Sequence, residues 1–315
     1  MRPIVLPSNQ PRDRFYQGGT RISAFRGVQP SPPNTPEDWV ASTVAVRDHA
    51  PVGMTRLPSG ELLADAIEHD PIAWFGPAHV AAFGTDPMIL VKLLDPGQRL
   101  PVHAHPSDAF AAARLGAAHG KAEAWYILEP GTVWMGFHSD VDPRELRALV
   151  DAQDTSALLA LLNRVEVKAH DIVFVPTGVF HAIGEGVVLV EAQQPEDLSI
   201  LIEWEGFDLD GPNNGHLGLG FDAALQAIDY SAFDPSPHIG STLATEKFFR
   251  FEPYRGAGET QLEAGFAVVV VTDGSAQLAE LALNHGATVV IPHAAGALPL
   301  KYDGAVIVVR PPAAS

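Results

Sequence analysis

Three short segments concentrate side chains able to hold a metal ion. In Gly97-Gln-Arg-Leu-Pro-Val-His103-Ala-His105-Pro106 two histidines stand two residues apart. Residues so spaced in a strand point to one face, so His103 and His105 converge on one ion. Gly120-Lys121-Ala-Glu123-Ala-Trp-Tyr-Ile repeats the spacing with Lys121 and Glu123. Pro176-Thr-Gly178-Val-Phe-His181 reads as a tight turn that delivers a histidine to the start of the next strand. Three neutral imidazoles and a carboxylate suit one divalent first-row ion with open positions for water or substrate. In a chain with 13 histidines a His-x-His pair arises by chance. The reading rests instead on all three segments, each at the edge of a strand candidate. The remaining histidines read as surface or hydrogen-bonded residues.

These segments need strands to position them. Met88 to Leu94, Ala124 to Leu128, Ile172 to Val175, Val187 to Gln193, Phe266 to Val271, Thr288 to Ile291 and Ala305 to Val309 are short, rich in β-branched residues and bounded by Gly, Pro, Asp or Asn. With 28 glycines and 27 prolines spread along the chain, the spacing predicts a mainly β protein, a sandwich or barrel. One stretch departs from this. Between Pro143 and Leu162 the leucines recur at spacings of three and four behind Asp142, an N-cap candidate, which predicts a helical insertion over about 142–163. Asp-Pro-Ser-Pro at 234–237 marks a boundary, giving a metal-binding part over 1–234 and a second β part over 235–315.

Composition removes other classes. The chain has 315 residues and a formal charge of −18, which repels nucleic-acid phosphates and anionic lipids, so neither is expected as a partner. It has no cysteine, so any metal must rest on nitrogen and oxygen. The N-terminal apolar run is short and broken by prolines, and no stretch approaches the roughly 20 apolar residues of a membrane span, so a cytoplasmic protein is expected.

Gly97 followed by His103-x-His105, and later Pro176-x-Gly178-x-x-His181, resemble the two signature segments of cupins, double-stranded β-helix (jelly-roll) barrels. The closer resemblance is to the short bacterial kind of type I mannose-6-phosphate isomerase. It is carried by LVKLLDPGQRLPVHAHPSD, GKAEAWYILEPG, the helical insertion, NRVEVKAHDIVFVPTGVFHAIGEGVVLVEAQQ and an N-terminal PEDW before a strand. More weakly, TLATEKFFRFE resembles the entry into a second, metal-free cupin-like β domain. The resemblance implies aldose–ketose isomerisation of a sugar or sugar phosphate at one divalent ion, zinc first, with Mn, Fe, Co or Ni as other candidates. It places His103, His105, Glu123 and His181 as ligands, Lys121 and Glu191 as catalytic residues, and Lys92 and Asp108 at the substrate.

Three departures accompany the matches. The family's first ligand is a glutamine, and His103 stands there. The family's serine two residues earlier is Pro101. Its active-site arginine, ten residues after the strand glutamate, falls on Leu201, and no arginine lies between Arg164 and Arg250. Another cation, such as Arg114 or Lys92, would have to substitute, or the sugar is not phosphorylated. The same residues also suit a cupin oxygenase or epimerase using the 3-His-1-Glu set, or a sugar-binding cupin without turnover.

Overall fold

The computed structural model describes residues 1–240, 242 and 245–314. Alternation along single strands builds the central barrel. In the Leu90–Leu94 strand, Val91 and Leu93 join one apolar cluster while Leu94 joins another, and Lys92 lies on the Leu94 side. In Val188–Gln193, Val190 and Ala192 face out and Leu189 and Glu191 face in. In Glu123–Glu129, Ala124 and Tyr126 face out and Trp125 and Ile127 face in. The residues singled out for chemistry therefore share the inward parity of a period-2 strand.

These strands belong to a five-stranded antiparallel sheet in the order Glu37–Val40, Leu90–Leu94, Val188–Gln193, Glu123–Glu129, Ile172–Val175. A second antiparallel sheet runs Ile200–Leu201, His103–Ala104, His181–Ile183, Gly131–Phe137, Leu162–Val167. Their inner faces share one core containing Trp125, Leu189 and Val173 from the first and Val133, Met135 and Ile183 from the second. This is the jelly-roll barrel expected from the sequence, and the chain passes from one sheet to the other along its course.

Both outer faces are covered. Val102, Ala104, Phe180 and Ala182 pack under Leu146, Val150 and Leu158 of the insertion. The insertion is two helices, Pro143–Ala152 and Thr155–Ala160, because Gln153 adopts φ 50 and Asp154 starts a new helix by accepting from Ala157 N–H. Asp142 caps the first through Arg144 N–H, as its position predicts. Leu162, expected at the insertion's end, opens a strand. PEDW does not precede a strand: Glu37–Val40 is itself the strand, with Glu37 and Asp38 buried.

The other face of the first sheet meets a six-stranded antiparallel sheet made of Ile4–Val5, Thr288–Ile291, Ala267–Leu278, Leu298–Arg310 and Arg250–Leu262, with Leu281–Asn284 added to Ala267–Leu278. The chain's first strand thus sits in the sheet built mainly from residues beyond 235. The register shift between Val271 and Asp273 exchanges faces, so Val269 and Val271 before it and Ala276 and Leu278 after it point into one apolar core. Gly274 and Gly304 are cross-strand partners there, and a Cβ on Gly274 would lie 2.0 Å from Asp303 O. Of the TLATEKFFRFE segment, Leu243 and Ala244 lie outside the described residues.

Candidate metal centre

His103 and His181 are direct cross-strand partners, so the His-x-His strand and the strand after the Pro176–Val179 turn bring their imidazoles together. The turn is tied to the site, since Gly178 N–H, at φ +81, donates to His105 O over 2.8 Å. The ligating nitrogens of His103, His105 and His181 lie within 4.8 Å of one another, and all three residues are buried. Glu123 enters from the opposite sheet, with Oε2 3.0 Å from His105 Nε2 and Oε1 3.2 Å from His181 Nε2.

Backbone carbonyls set the tautomer of each ring. Nδ1 of His103 lies 2.8 Å from Pro101 O, that of His105 2.7 Å from Leu198 O, and that of His181 3.0 Å from Val179 O. A carbonyl oxygen only accepts, so the proton sits on Nδ1 and the Nε2 lone pair faces the centre. His181 Nε2 is buried without a hydrogen-bond partner. Unpaired lone pairs beside a carboxylate repel unless a cation lies among them. Lys121 meets that need in part, with Nζ 3.1 Å from His105 Nε2 and 2.9 Å from Glu123 Oε2. An ammonium standing among these donors shows that the donor set fits a cation.

Electrostatics keep the donors in ligating form. Burial, then the Lys121 charge, pushes His105 down to about 3, and burial with the other two imidazoles holds His103 well below its ordinary range. Burial would raise Glu123, but Lys121, His105 and His181 together hold it well below the usual carboxylate range. Burial likewise works against the Lys121 ammonium, yet Glu123 and Glu191 raise it. Glu191, 3% exposed, is pushed up to about 7 by burial and then by Glu123, and its Oε1 has no hydrogen-bond partner.

The centre opens into a cavity of about 1170 Å³ lined by His103, Lys121, Glu123, Lys92 and Glu191. His105 and His181 stand behind this lining. Lys92 Nζ is 3.9 Å from Glu191 Oε1 and 4.3 Å above the Trp39 ring. Asp108 is not in the lining: its Oδ1 accepts from Gly120 N–H and Gln194 Nε2, each over 2.8 Å, which fixes the backbone before Lys121. Arg114 is exposed and donates to Gln226 over 3.1 Å, away from the cavity.

Sequence reasoning missed Glu37. It is 4% exposed and accepts from Tyr16 Oη at 2.8 Å and Trp39 Nε1 at 2.7 Å, with Arg14 Nε at 3.2 Å and Lys92 Nζ at 3.4 Å. Burial opposes its charge, but Arg14 and Lys92 with these hydrogen bonds depress its pKa. A buried acid beside Trp39 in an edge strand carries no sequence signal, and Arg14 arrives from an irregular segment.

A jelly-roll barrel with three imidazoles and one carboxylate at its open end is the geometry that comparison must explain. The chain is similar to mannose-6-phosphate isomerases. It is 31% identical over 202 residues to the Streptococcus mutans mannose-6-phosphate isomerase, covering 62% of this chain and 58% of that protein. To the Bacillus subtilis enzyme ManA it is 31% identical over 204 residues, covering 64% of this chain and 61% of the relative. The matched stretch thus spans less than two thirds of these relatives. No protein-family model matches the chain. The fold extends further than the sequence match. The solved Bacillus subtilis mannose 6-phosphate isomerase superposes with TM-score 0.77 at 23% identity, over 98% of this chain and 100% of that one. A mannose 6-phosphate isomerase solved with zinc and yttrium gives 0.75 at 15% identity, over 99% and 100%. No helix among the described residues is long and apolar enough to cross a membrane.

Proposed function

We propose that this chain is a metal-dependent aldose–ketose isomerase of the mannose-6-phosphate isomerase type, with zinc as the ion. The observation that carries the reading is the pairing of two sets of groups at one cavity end: four side chains able to ligate, and beside them Lys121 and Glu191, whose Oε1 has no hydrogen-bond partner. His103, His105, His181 and Glu123 would hold the ion, which when bound polarises a sugar carbonyl and its neighbouring hydroxyl.

The chain's own groups then move protons. Glu191 takes the proton from C2 of the aldose and returns it to C1. Across the same step O1 gains a proton and O2 loses one, so the ketose forms with no oxidant or reductant. A carboxyl raised to about 7 is poised for this exchange at neutral pH. Lys121, joined to Glu123 at 2.9 Å, would stabilise the oxygens on which charge develops. The three-imidazole set also suits manganese, iron, cobalt or nickel, so an oxygenase reading draws on the ligands alone and gives Glu191 and Lys121 no part. An epimerase would use Glu191 as its base and form no ketose.

The test is ketose formation by the zinc-loaded protein from mannose 6-phosphate, mannose, xylose and lyxose, with metal content measured on the same sample. Ketose from at least one, lost on chelation, supports the proposal. No ketose from any with metal bound, or dioxygen uptake with Fe(II), contradicts it.

A further inference from the structure

Resting on the isomerase reading, we infer that the sugar taken at this centre is uncharged, a free aldose rather than its phosphate ester. The cavity's cationic side chains are Arg12, Arg14, Arg47, Arg56, Lys92 and Lys121. Its carboxylates are Asp13, Glu37, Asp48, Glu123, Glu191 and Asp197, six against six before an ion is counted. Position matters more than the sum. The cations that are not exposed are already engaged: half-buried Arg14 and buried Lys92 by Glu37 at 3.2 and 3.4 Å, and buried Lys121 by Glu123 at 2.9 Å. A phosphate dianion entering to this depth would have to compete with carboxylates that already hold these cations.

The wall that adjoins the candidate ligands is largely aliphatic, with the Ser199 hydroxyl the polar group beside them, 3.5 Å from His105 Nδ1. Leu201 is the cross-strand partner of His103, lies on the same face and lines the cavity at 7% exposure. Leu100, Pro101 and Ile183 continue that lining. Leu201, Leu100, Pro101 and Ile183 can pack against the C–H faces of a pyranose, and these four side chains offer a phosphate no donor. The remaining cations, Arg12, Arg47 and Arg56, are exposed. Arg47 has Asp48 3.7 Å away and Arg56 donates to Gly60 O, so solvent and neighbours weaken both as anion anchors.

Two readouts on the metal-loaded protein separate this inference from the reading it rests on. Calorimetry compares the binding of mannose, mannose 6-phosphate and inorganic phosphate, and a ketose assay follows the two sugars. The expected result is a preference for mannose of at least about tenfold in binding and in kcat/KM, with no competition by inorganic phosphate. Equal or stronger use of mannose 6-phosphate overturns the inference and leaves the isomerase reading intact. Preferential mannose binding without ketose from either sugar supports the inference and removes the isomerase reading. Leu201→Arg, with metal content checked, should shift the ratio toward the phosphate ester. An unchanged ratio in a metal-loaded variant would show that this wall does not set specificity.

Discussion

The barrel interior and the interior of the C-terminal sheet follow the same alternation and are filled in opposite ways. In the C-terminal sheet the inward positions are Val269, Val271, Leu278, Leu300, Val306 and Val308, a continuous aliphatic core. In the barrel, the deeper positions are Trp125, Val133 and Leu189, but one end carries His103, Lys121, Glu123 and Glu191. Aliphatic filling stabilises a domain by about 1.5–3 kcal/mol for each fully buried side chain. Buried charge in its place gains little stability and marks a site kept for chemistry. The only cluster of candidate ligands among the described residues lies in the barrel.

This contrast can be broken from either side. The largest effect is expected at the ligands: His181→Ala or His105→Ala should lower metal affinity by at least about 100-fold and abolish turnover, read by elemental analysis and ketose assay. Retained metal in both variants would show that the ligands are misassigned. Glu191→Gln should keep the metal and lose about 100-fold or more in kcat, as expected for a general base. Unchanged kcat would remove that role.

Stability should divide the two regions differently. Glu37→Gln removes the nearest counter-charge of Arg14 and Lys92 and should cost about 3–5 kcal/mol in denaturant unfolding. The native Glu37 pKa is depressed, so its stabilisation is present above the ordinary value of 4.5 and is lost as pH falls toward the native value. Wild type should therefore lose stability on acidification below about pH 4.5 more steeply than the variant. Parallel pH profiles would contradict this. Leu300→Ala in the C-terminal core should cost about 2–5 kcal/mol through the cavity it leaves, with metal content unchanged. The smallest effect belongs to His138→Ala, which should alter neither metal nor activity.

The same contrast explains what the sequence disclosed. The candidate ligand cluster was legible because His103 and His105 stand two residues apart at a strand and Gly178 marks the turn before His181. Fold class followed from short β-branched runs. What escaped was set by tertiary contact. Gly131–Phe137 and Arg250–Leu262 mix glycine, polar and apolar residues, and only pairing with neighbouring strands makes them strands. The helices Leu63–His69, Pro71–Phe75 and Pro77–Phe83 are too short to show a period. Asp108, which the resemblance puts at the substrate, is hydrogen-bonded to Gly120 and Gln194, and the second contact joins segments far apart in sequence. Arg14 and Glu37 are 23 residues apart and meet only because the N-terminal segment crosses the barrel's edge strand.

The most direct measurement of the central claim is metal stoichiometry coupled to turnover, taken on wild type, on protein stripped by chelator and after zinc is restored. The account predicts one zinc per chain, ketose formation that vanishes on stripping and returns with the ion, and neither metal nor turnover in His181→Ala. Ketose formation that persists in stripped protein, or one firmly bound ion in His181→Ala, would contradict it.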